Sequence, residues 1–288
     1  MPASLFFTLI FIIICLIPII EIALSPRTQS DHILPVPLTK KYNEVSFLTT
    51  HNAFASSAYG YFITSQTLSI PEQLQYGVRA LMIDLWWYDN EIYMLHGGYG
   101  ATVFQKAGHP ETFEWLLIGI KHWLDENPTE ILTLLLESYL ESTGGIEIMR
   151  LLQKHNITIY NPRREKLLFD GWDTLADMIA NNQRLVMISR ERRDAVIYDE
   201  NVVIENIWDY KSNIRGDKFF KTRGSIYVFN HFTTDLLPSS YTTFNSENNI
   251  MDRINNAYQN ISRYPNFIAV NNVQYGDAIK VVNYLNFV

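Results

Sequence analysis

The run Pro110-Glu-Thr-Phe-Glu-Trp-Leu-Leu-Ile-Gly-Ile-Lys-His-Trp-Leu-Asp-Glu126, followed at once by Asn127-Pro-Thr-Glu-Ile-Leu-Thr-Leu-Leu-Leu-Glu137, decides how this chain folds. Its first half puts Phe113, Leu116, Leu117, Ile120, Trp123 and Leu124 on one helical face, with Pro110 in the first turn. Asn127-Pro128 stops the helix, because the residue before a proline is pushed out of the helical region. The second half, 131–136, is apolar almost without alternation, as a strand covered on both faces must be.

The same alternation extends in both directions. Strand-like runs occupy 45–50, 79–85, 92–95, 131–136, 185–188, 202–204, 226–230 and 267–270. Weaker amphipathic helices fall at 146–154, 174–181 and 249–258. Buried strands separated by helices imply an α/β fold whose parallel sheet is wound through helical crossovers. Eight strands in roughly 250 residues suit a TIM-type (β/α)8 barrel better than a doubly wound sheet. The expected layout is one barrel domain over 42–288 behind a proline-containing linker, 26–41.

Composition agrees and removes other classes. Of the 288 residues 47% are hydrophobic and 18% charged, too apolar for a disordered chain. Lys+Arg 23 against Asp+Glu 30 leaves a net charge of −7, so no general positive field exists to gather nucleic acid. Residues 5–20 form a nearly unbroken apolar run, shorter than the roughly 20 residues that span a bilayer. Glu21 ends it, and Ala23-Leu-Ser25 offers the small residues of a cleavage site. Residues 1–25 therefore read as a signal peptide of a secreted protein. The alternative is an uncleaved anchor with the barrel outside the cytosol. The single cysteine, Cys15, lies in this segment, so a mature chain would have neither disulfide nor thiol chemistry.

A barrel carries its chemistry where its strands end. The polar residues at those ends are His51-Asn52, Asp84, His96, Glu137, Arg190, Asn230-His231 and Asn271-Asn272. No G-x-S-x-G elbow and no G-x-G-x-x-G follows a strand. Histidines and carboxylates on one mouth point to acid–base chemistry beside a metal or an anion. Arg190 belongs to the charged run Arg190-Glu-Arg-Arg-Asp194, whose ordinary reading is a solvated loop, and Trp86-Trp87 read as packing at the mouth.

Three blocks carry a resemblance: Ser46-Phe-Leu-Thr-Thr-His51-Asn52-Ala-Phe54, Gln73-Leu-Gln-Tyr-Gly77-Val-Arg79-Ala-Leu-Met-Ile-Asp84, and Tyr93-Met-Leu-His96-Gly97. In this order and spacing they resemble the X region of phosphatidylinositol-specific phospholipase C. Later blocks, Asn127 to Glu137, Val228-Phe-Asn-His231-Phe and Arg263 to Val270, resemble the secreted phospholipase C-like phosphodiesterases of plants, fungi and protists. The resemblance implies a hydrolase of phosphoric diesters that cleaves phosphoinositide-like lipids with His51 and His96 as paired acid and base. The substrate's own hydroxyl would attack the phosphorus. It further implies Asn52, Asp84 and Glu137 as ligands of Ca²⁺, with Met82 standing where the animal enzymes place one more Glu. Arg79 and His231 are the candidates for phosphate contact, and an ion pair beneath the site is the other reading of Arg79. At the last strand Asn271 and Asn272 stand where a carboxylate is wanted to orient the first imidazole. The expected partner is a phospholipid at a membrane surface, met by a monomer. Two other functions remain open at this point: a sphingomyelinase D- or glycerophosphodiesterase-like activity, whose Glu-x-Asp metal pair Met82-Ile-Asp84 lacks, and a non-catalytic lipid- or phosphate-binding barrel.

Overall fold

The structure is a computed structural model that describes residues 34–288 apart from 103, 141–143, 195, 199–201, 207–224 and 234–239. The expected signal or anchor, 1–25, and Cys15 lie outside the described residues, as does the linker up to residue 33. Its remainder makes bonds to the body of the domain. The Leu34 amide donates to Asn283 Oδ1, and Lys40 Nζ donates to the Asn286 carbonyl.

The strands are β1 (Phe47–Thr50), β2 (Ala80–Tyr88), β3 (Glu91–Met94), β4 (Leu132–Tyr139), β5 (Ile159–Tyr160), β6 (Leu185–Ser189), β7 (Ile197–Tyr198), β8 (Val203–Glu205), β9 (Ile226–His231) and β10 (Phe267–Val270). The helices are α1 (Ile70–Tyr76), α2 (Tyr99–Thr102), α3 (Phe113–Glu126), α4 (Gly144–Lys154), α5 (Leu175–Ala180), α6 (Tyr241–Phe244), α7 (Glu247–Ile261) and α8 (Ala278–Leu285). The parallel sheet runs β5-β6-β4-β2-β1-β10-β9-β8, with the first strand beside the last long one. That adjacency is the wrap of a TIM-type barrel. Among the described residues the ladder is not closed between β7 and β8.

One expectation changes here. The run 92–95 is no barrel stave. β3 turns back on β2 and pairs antiparallel, Leu85 opposite Met94 and Tyr88 opposite Glu91. Asp89 and Asn90 make the two-residue turn with φ of 48° and 63°, the conformation that a tight hairpin demands and that Asp and Asn tolerate. β2 pairs directly with β4 instead, and the further parallel strands are β5 and β7, two residues each on the far side of β6 and too short to stand out as runs.

The helix over 110–126 begins three residues inside its expected start. The Thr112 side chain accepts a hydrogen bond from the Trp115 amide and caps α3 at Phe113. Its face packs against the outside of the sheet, where Leu116, Leu117 and Ile120 meet Leu81, Ile83 and Leu85. Each such side chain stabilises the fold by about 1.5–3 kcal/mol when buried. The alternate residues of β2, Met82, Asp84 and Trp86, line the barrel's interior, as the two-residue period of a strand requires. A second cluster closes the lower end of the barrel, with Tyr42 against Trp172 at 4.6 Å and Phe47 against Phe267 at 5.6 Å between ring centres. With that end sealed, the interior opens at the C-terminal ends of the strands.

Candidate active site

A cavity of about 490 Å³ occupies that end. Met82, Leu135, Ile188, Val203 and Val228 form its apolar base, and Asp84, Glu137, Arg190, Glu205 and Asn230 stand two residues further along the same strands. Trp86, Tyr139 and Phe232 lie another two residues on, as an aromatic collar. The layering follows directly from the strand period. His51, Asn52 and His96 complete the wall.

His51 leaves β1 with its amide bonded to the Val270 carbonyl of β10. Its Nδ1 lies 2.8 Å from Asn271 Oδ1, and its ring stacks on Phe232 with centres 3.6 Å apart and planes 4° apart. Asn271 cannot turn its amide round freely, since its Nδ2 already donates to the Thr233 carbonyl and to Tyr241 Oη. Its oxygen therefore faces His51, and Nδ1 carries the proton. Desolvation lowers the His51 pKa to about 4, against the Asn271 hydrogen bond, with the charge of His96 adding to the fall. His51 is a neutral imidazole whose Nε2 lone pair is available.

His96 is in the opposite condition. Its Nδ1 lies 3.0 Å from Asp84 Oδ2 and 3.3 Å from the Asn52 amide. The Asp84 hydrogen bond raises its pKa above the ordinary value in spite of partial burial, and the Asp84 and Glu137 charges push the same way. Burial raises the Asp84 carboxyl; the hydrogen bond from His96 opposes this, the charge of Glu137 adds to it and Arg190 counters it. Asp84 and Glu137 are opposite one another in the β2–β4 register. Tyr139 donates to Glu137 and stacks on Trp86 at 4.2 Å. Across the cavity Arg190 pairs with Glu205, whose other oxygen accepts from Asn230 Nδ2 at 2.8 Å.

Five of the seven expected site residues thus line one cavity: His51, Asn52, Asp84, His96 and Glu137. Arg79 and His231 do not. Arg79 precedes β2 at the closed end of the barrel, where Nε donates to Glu130 at 2.7 Å and Nη1 donates to the Leu74 and Val78 carbonyls. Its guanidinium lies over Trp123. The ion-pair reading of Arg79 therefore describes its place, and the phosphate-contact expectation does not. His231 fails by strand parity. On β9 the cavity takes Val228, Asn230 and then Phe232, so His231 points outward. Its Nε2 donates to the Phe244 carbonyl at 3.0 Å, and Nδ1 accepts from Arg253 at 3.0 Å. Burial lowers its pKa to about 3, and the Arg253 charge adds to the fall. Asn272 does not line the cavity either, and its backbone N–H donates to the Ser65 carbonyl.

Sequence reading missed Glu205 and Tyr139 and gave Arg190 the lesser role. Glu205 could have been found, because it directly follows the run 202–204 and is a polar residue at a strand end. Tyr139 lies two residues past Glu137 on a strand that runs longer than its apolar stretch.

The comparisons with known proteins agree with this fold. The family model PI-PLC X 1 matches residues 38–286, so the chain belongs to the PI-PLC X family. A PI-PLC X domain-containing protein of Arabidopsis thaliana is 30% identical over 183 residues, 57% of this chain and 41% of that protein. PI-PLC X domain-containing protein 1 of Arthroderma benhamiae is 25% identical over 190 residues, 62% of this chain and 57% of that protein. The match thus spans about half the length of these curated relatives. Among solved structures, a phosphatidylinositol-specific phospholipase C from Listeria monocytogenes superposes with a TM-score of 0.56 at 17% identity, over 89% of this chain and 97% of that one. One from Staphylococcus aureus gives 0.56 at 14%, over 87% and 93%. At these identities the likeness shows the fold: a phospholipase C-like TIM barrel.

Proposed function

We propose that the chain is a phosphoric diester hydrolase of the phospholipase C type, acting on a phosphoinositide-like lipid with His51 as general base and His96 as general acid. One observation carries this reading: two imidazoles line the same cavity, one held by a neutral amide with its pKa lowered and the other held by a carboxylate with its pKa raised. Asn271 holds the proton of His51 on Nδ1, so Nε2 can take the proton of an attacking hydroxyl. Asp84 holds His96 by Nδ1 and favours its cation, so Nε2–H can be given to the departing oxygen. Each transfer contributes roughly 10²–10⁴-fold. A hydroxyl of the substrate itself as nucleophile would make the attack intramolecular, and the protein then has only to orient and neutralise.

The residues present fit a hard cation. Asn52, Asp84 and Glu137 present an amide and two carboxylates to one cavity, and the two carboxylates are paired in register, so their mutual repulsion favours a positive charge between them. When bound there, Ca²⁺ would offset the charge gathering on the phosphate oxygens. Asp84 would serve it with Oδ1, because Oδ2 holds His96. The site of action is proposed to lie outside the cell, on a secreted or anchored chain, since the apolar run 5–20 and Ala23-Leu-Ser25 support export. No described helix is long and apolar enough to cross a membrane.

The test is product analysis with the purified chain on phosphatidylinositol, phosphatidylcholine, sphingomyelin and glycerophosphodiesters. Inositol lipid should be cleaved to diacylglycerol. His51→Ala and His96→Ala should each remove most turnover while thermal unfolding stays unchanged, and the double variant should lose less than the product of the two losses. Preferred cleavage of a choline or glycerol ester would establish the other hydrolase reading. Cleavage of none would leave the binding barrel.

A further inference from the structure

The turn between α4 and β5 holds two side chains that the fold does not use. α4 ends in a Schellman closure: the Asn156 N–H donates to the Gln153 carbonyl at 3.1 Å, and the Ile157 N–H donates to the Leu152 carbonyl at 2.8 Å. Asn156 stands in the left-handed region with φ of 51°. Glycine suits such a position because it has no Cβ to crowd the following carbonyl, and asparagine is among the few side chains that tolerate it. Ile157 folds back onto the core that contains Leu152, while Asn156 and Thr158 on either side of it are exposed. Among the described residues neither the Asn156 side-chain amide nor the Thr158 hydroxyl has a hydrogen-bond partner. The base of the turn is fixed, for Lys154 Nζ and His155 Nε2 lie 2.6 and 2.5 Å from Glu114 Oε1 on α3.

We infer that Asn156 is the attachment site of an N-linked oligosaccharide. The inference rests on the reading that the chain is exported, since the transfer takes place in a secretory compartment. Asn156-Ile-Thr158, with no proline in the middle, is the triplet that such transfer requires. The left-handed turn accounts for Asn156 alone and leaves Thr158 unexplained, whereas the triplet accounts for both. In the transfer the Asn156 Nδ2 forms a bond to the anomeric carbon of an oligosaccharide carried on a lipid pyrophosphate. The bond from that carbon to the pyrophosphate oxygen breaks, its electron pair leaves with the pyrophosphate, and one amide proton passes to a base. A second triplet, Asn260-Ile-Ser262, is placed differently. Asn260 and Ile261 are the last two residues of α7, and Ser262 closes it with its N–H on the Tyr258 carbonyl. Residues two apart on a helix do not face each other, so folding removes this triplet and leaves the one at 156 presented. Position also suits a glycan. Asn156 is at most about 11 Å of chain from Ile159, which pairs with Leu185 where β6 leaves the closed end. None of 155–158 lines the cavity. A bulky hydrophilic chain rooted there keeps this flank of the barrel in water and the mouth clear.

The test translates the full chain in a cell-free system with endoplasmic-reticulum microsomes. It reads gel mobility, protection from added protease, and peptide mass spectra. Secreted and anchored chains are both protected, so removal of 1–25 does not affect the outcome. The protected chain should run heavier and return to its unmodified mobility after treatment with a peptide N-glycosidase. Release in heavy-oxygen water should leave the label at position 156 in most of the molecules. Thr158→Ala should abolish the modification and Thr158→Ser should keep it, although neither touches the Asn156 turn. Asn260→Gln should leave the heavier band unchanged. A protected chain that is bare at 156, or modified only at 260, would overturn the site while export stands. An unprotected, unmodified chain would overturn the site and the export reading together. A modification at 156 that survives Thr158→Ala would overturn the assignment to an N-linked oligosaccharide.

Discussion

Replacing Asn271 by Asp tests the assignment of the base through a single atom. In the native chain the His51 Nδ1–H is held by a neutral amide oxygen at 2.8 Å. In Asn271→Asp the same position carries a full negative charge, which stabilises the imidazolium. Two unit charges about 4 Å apart at an effective dielectric near 20 attract by about 4 kcal/mol, or about 3 pKa units. Ion-paired groups in proteins show shifts of roughly 1–3 units. His51, now lowered to about 4, should therefore titrate between about 5 and 7 in the variant. Two measurements read this: the acid limb of the kcat/KM profile, and the imidazole proton shifts of His51 by NMR, which need no turnover. The limb and the NMR titration should move up together. The substitution also turns a carboxylate oxygen toward the Thr233 carbonyl that the amide once served, at a cost of about 1–3 kcal/mol in stability. A folded variant whose His51 titration moves by less than half a unit, or downward, would refute the claim that Asn271 sets the proton state of the base.

Arg79→Ala should lower stability by about 1–3 kcal/mol, seen in urea unfolding, and leave KM for the lipid unchanged, because Arg79 bonds two carbonyls and Glu130 far from the mouth. Stability should also fall as pH drops from about 6.5 toward 3. His51 and His231 both bind protons more weakly folded than unfolded, so the unfolded chain takes up more protons over this window and stability rises with pH. His96, raised when folded, works in the opposite direction and contributes stability below its unfolded pKa, lost as pH rises through its folded one. Urea midpoints across the range should show the net decline, and His96, whose contribution changes only above its unfolded pKa, should leave that slope unaltered. For the cation, activity should disappear in chelator and return with added Ca²⁺. Met82→Glu, which adds a fourth carboxylate to the cavity wall beside those of Asp84, Glu137 and Glu205, should lower the Ca²⁺ concentration for half activity.

The barrel and most of the cavity were legible in the sequence because buried parallel strands leave unbroken apolar runs, and the residue that follows such a run stands at the mouth. Asp84, Glu137 and Asn52 were found by that rule. It fails where a strand is short, as with β5, or where the strand continues past its apolar run, as with Tyr139, whereas Glu205, which directly follows 202–204, obeys it. Of the two readings of Arg79, phosphate contact and an ion pair beneath the site, the second describes its place, because Arg79 stands before β2 instead of after it and strand order says which end of the barrel a residue occupies. His231 was misplaced because an apolar run covered on both faces hides its parity. Only the neighbours Asn230 and Phe232, facing inward, reveal that His231 faces out. The hairpin was obscured for a related reason: 92–95 has the composition of a stave, and only its pairing partner shows its direction.

The two histidine contacts of the cavity differ in how the chain must be joined to make them. His96 and Asp84 are 12 residues apart on the arms of one hairpin, with the Leu95 amide bonded to the Asp84 carbonyl. His51 and Asn271 are 220 residues apart, and they meet only when the first parallel strand lies beside the last. Local contacts form early and distant ones late. A growing or partly unfolded chain can therefore hold its acid in place while its base still lacks a partner.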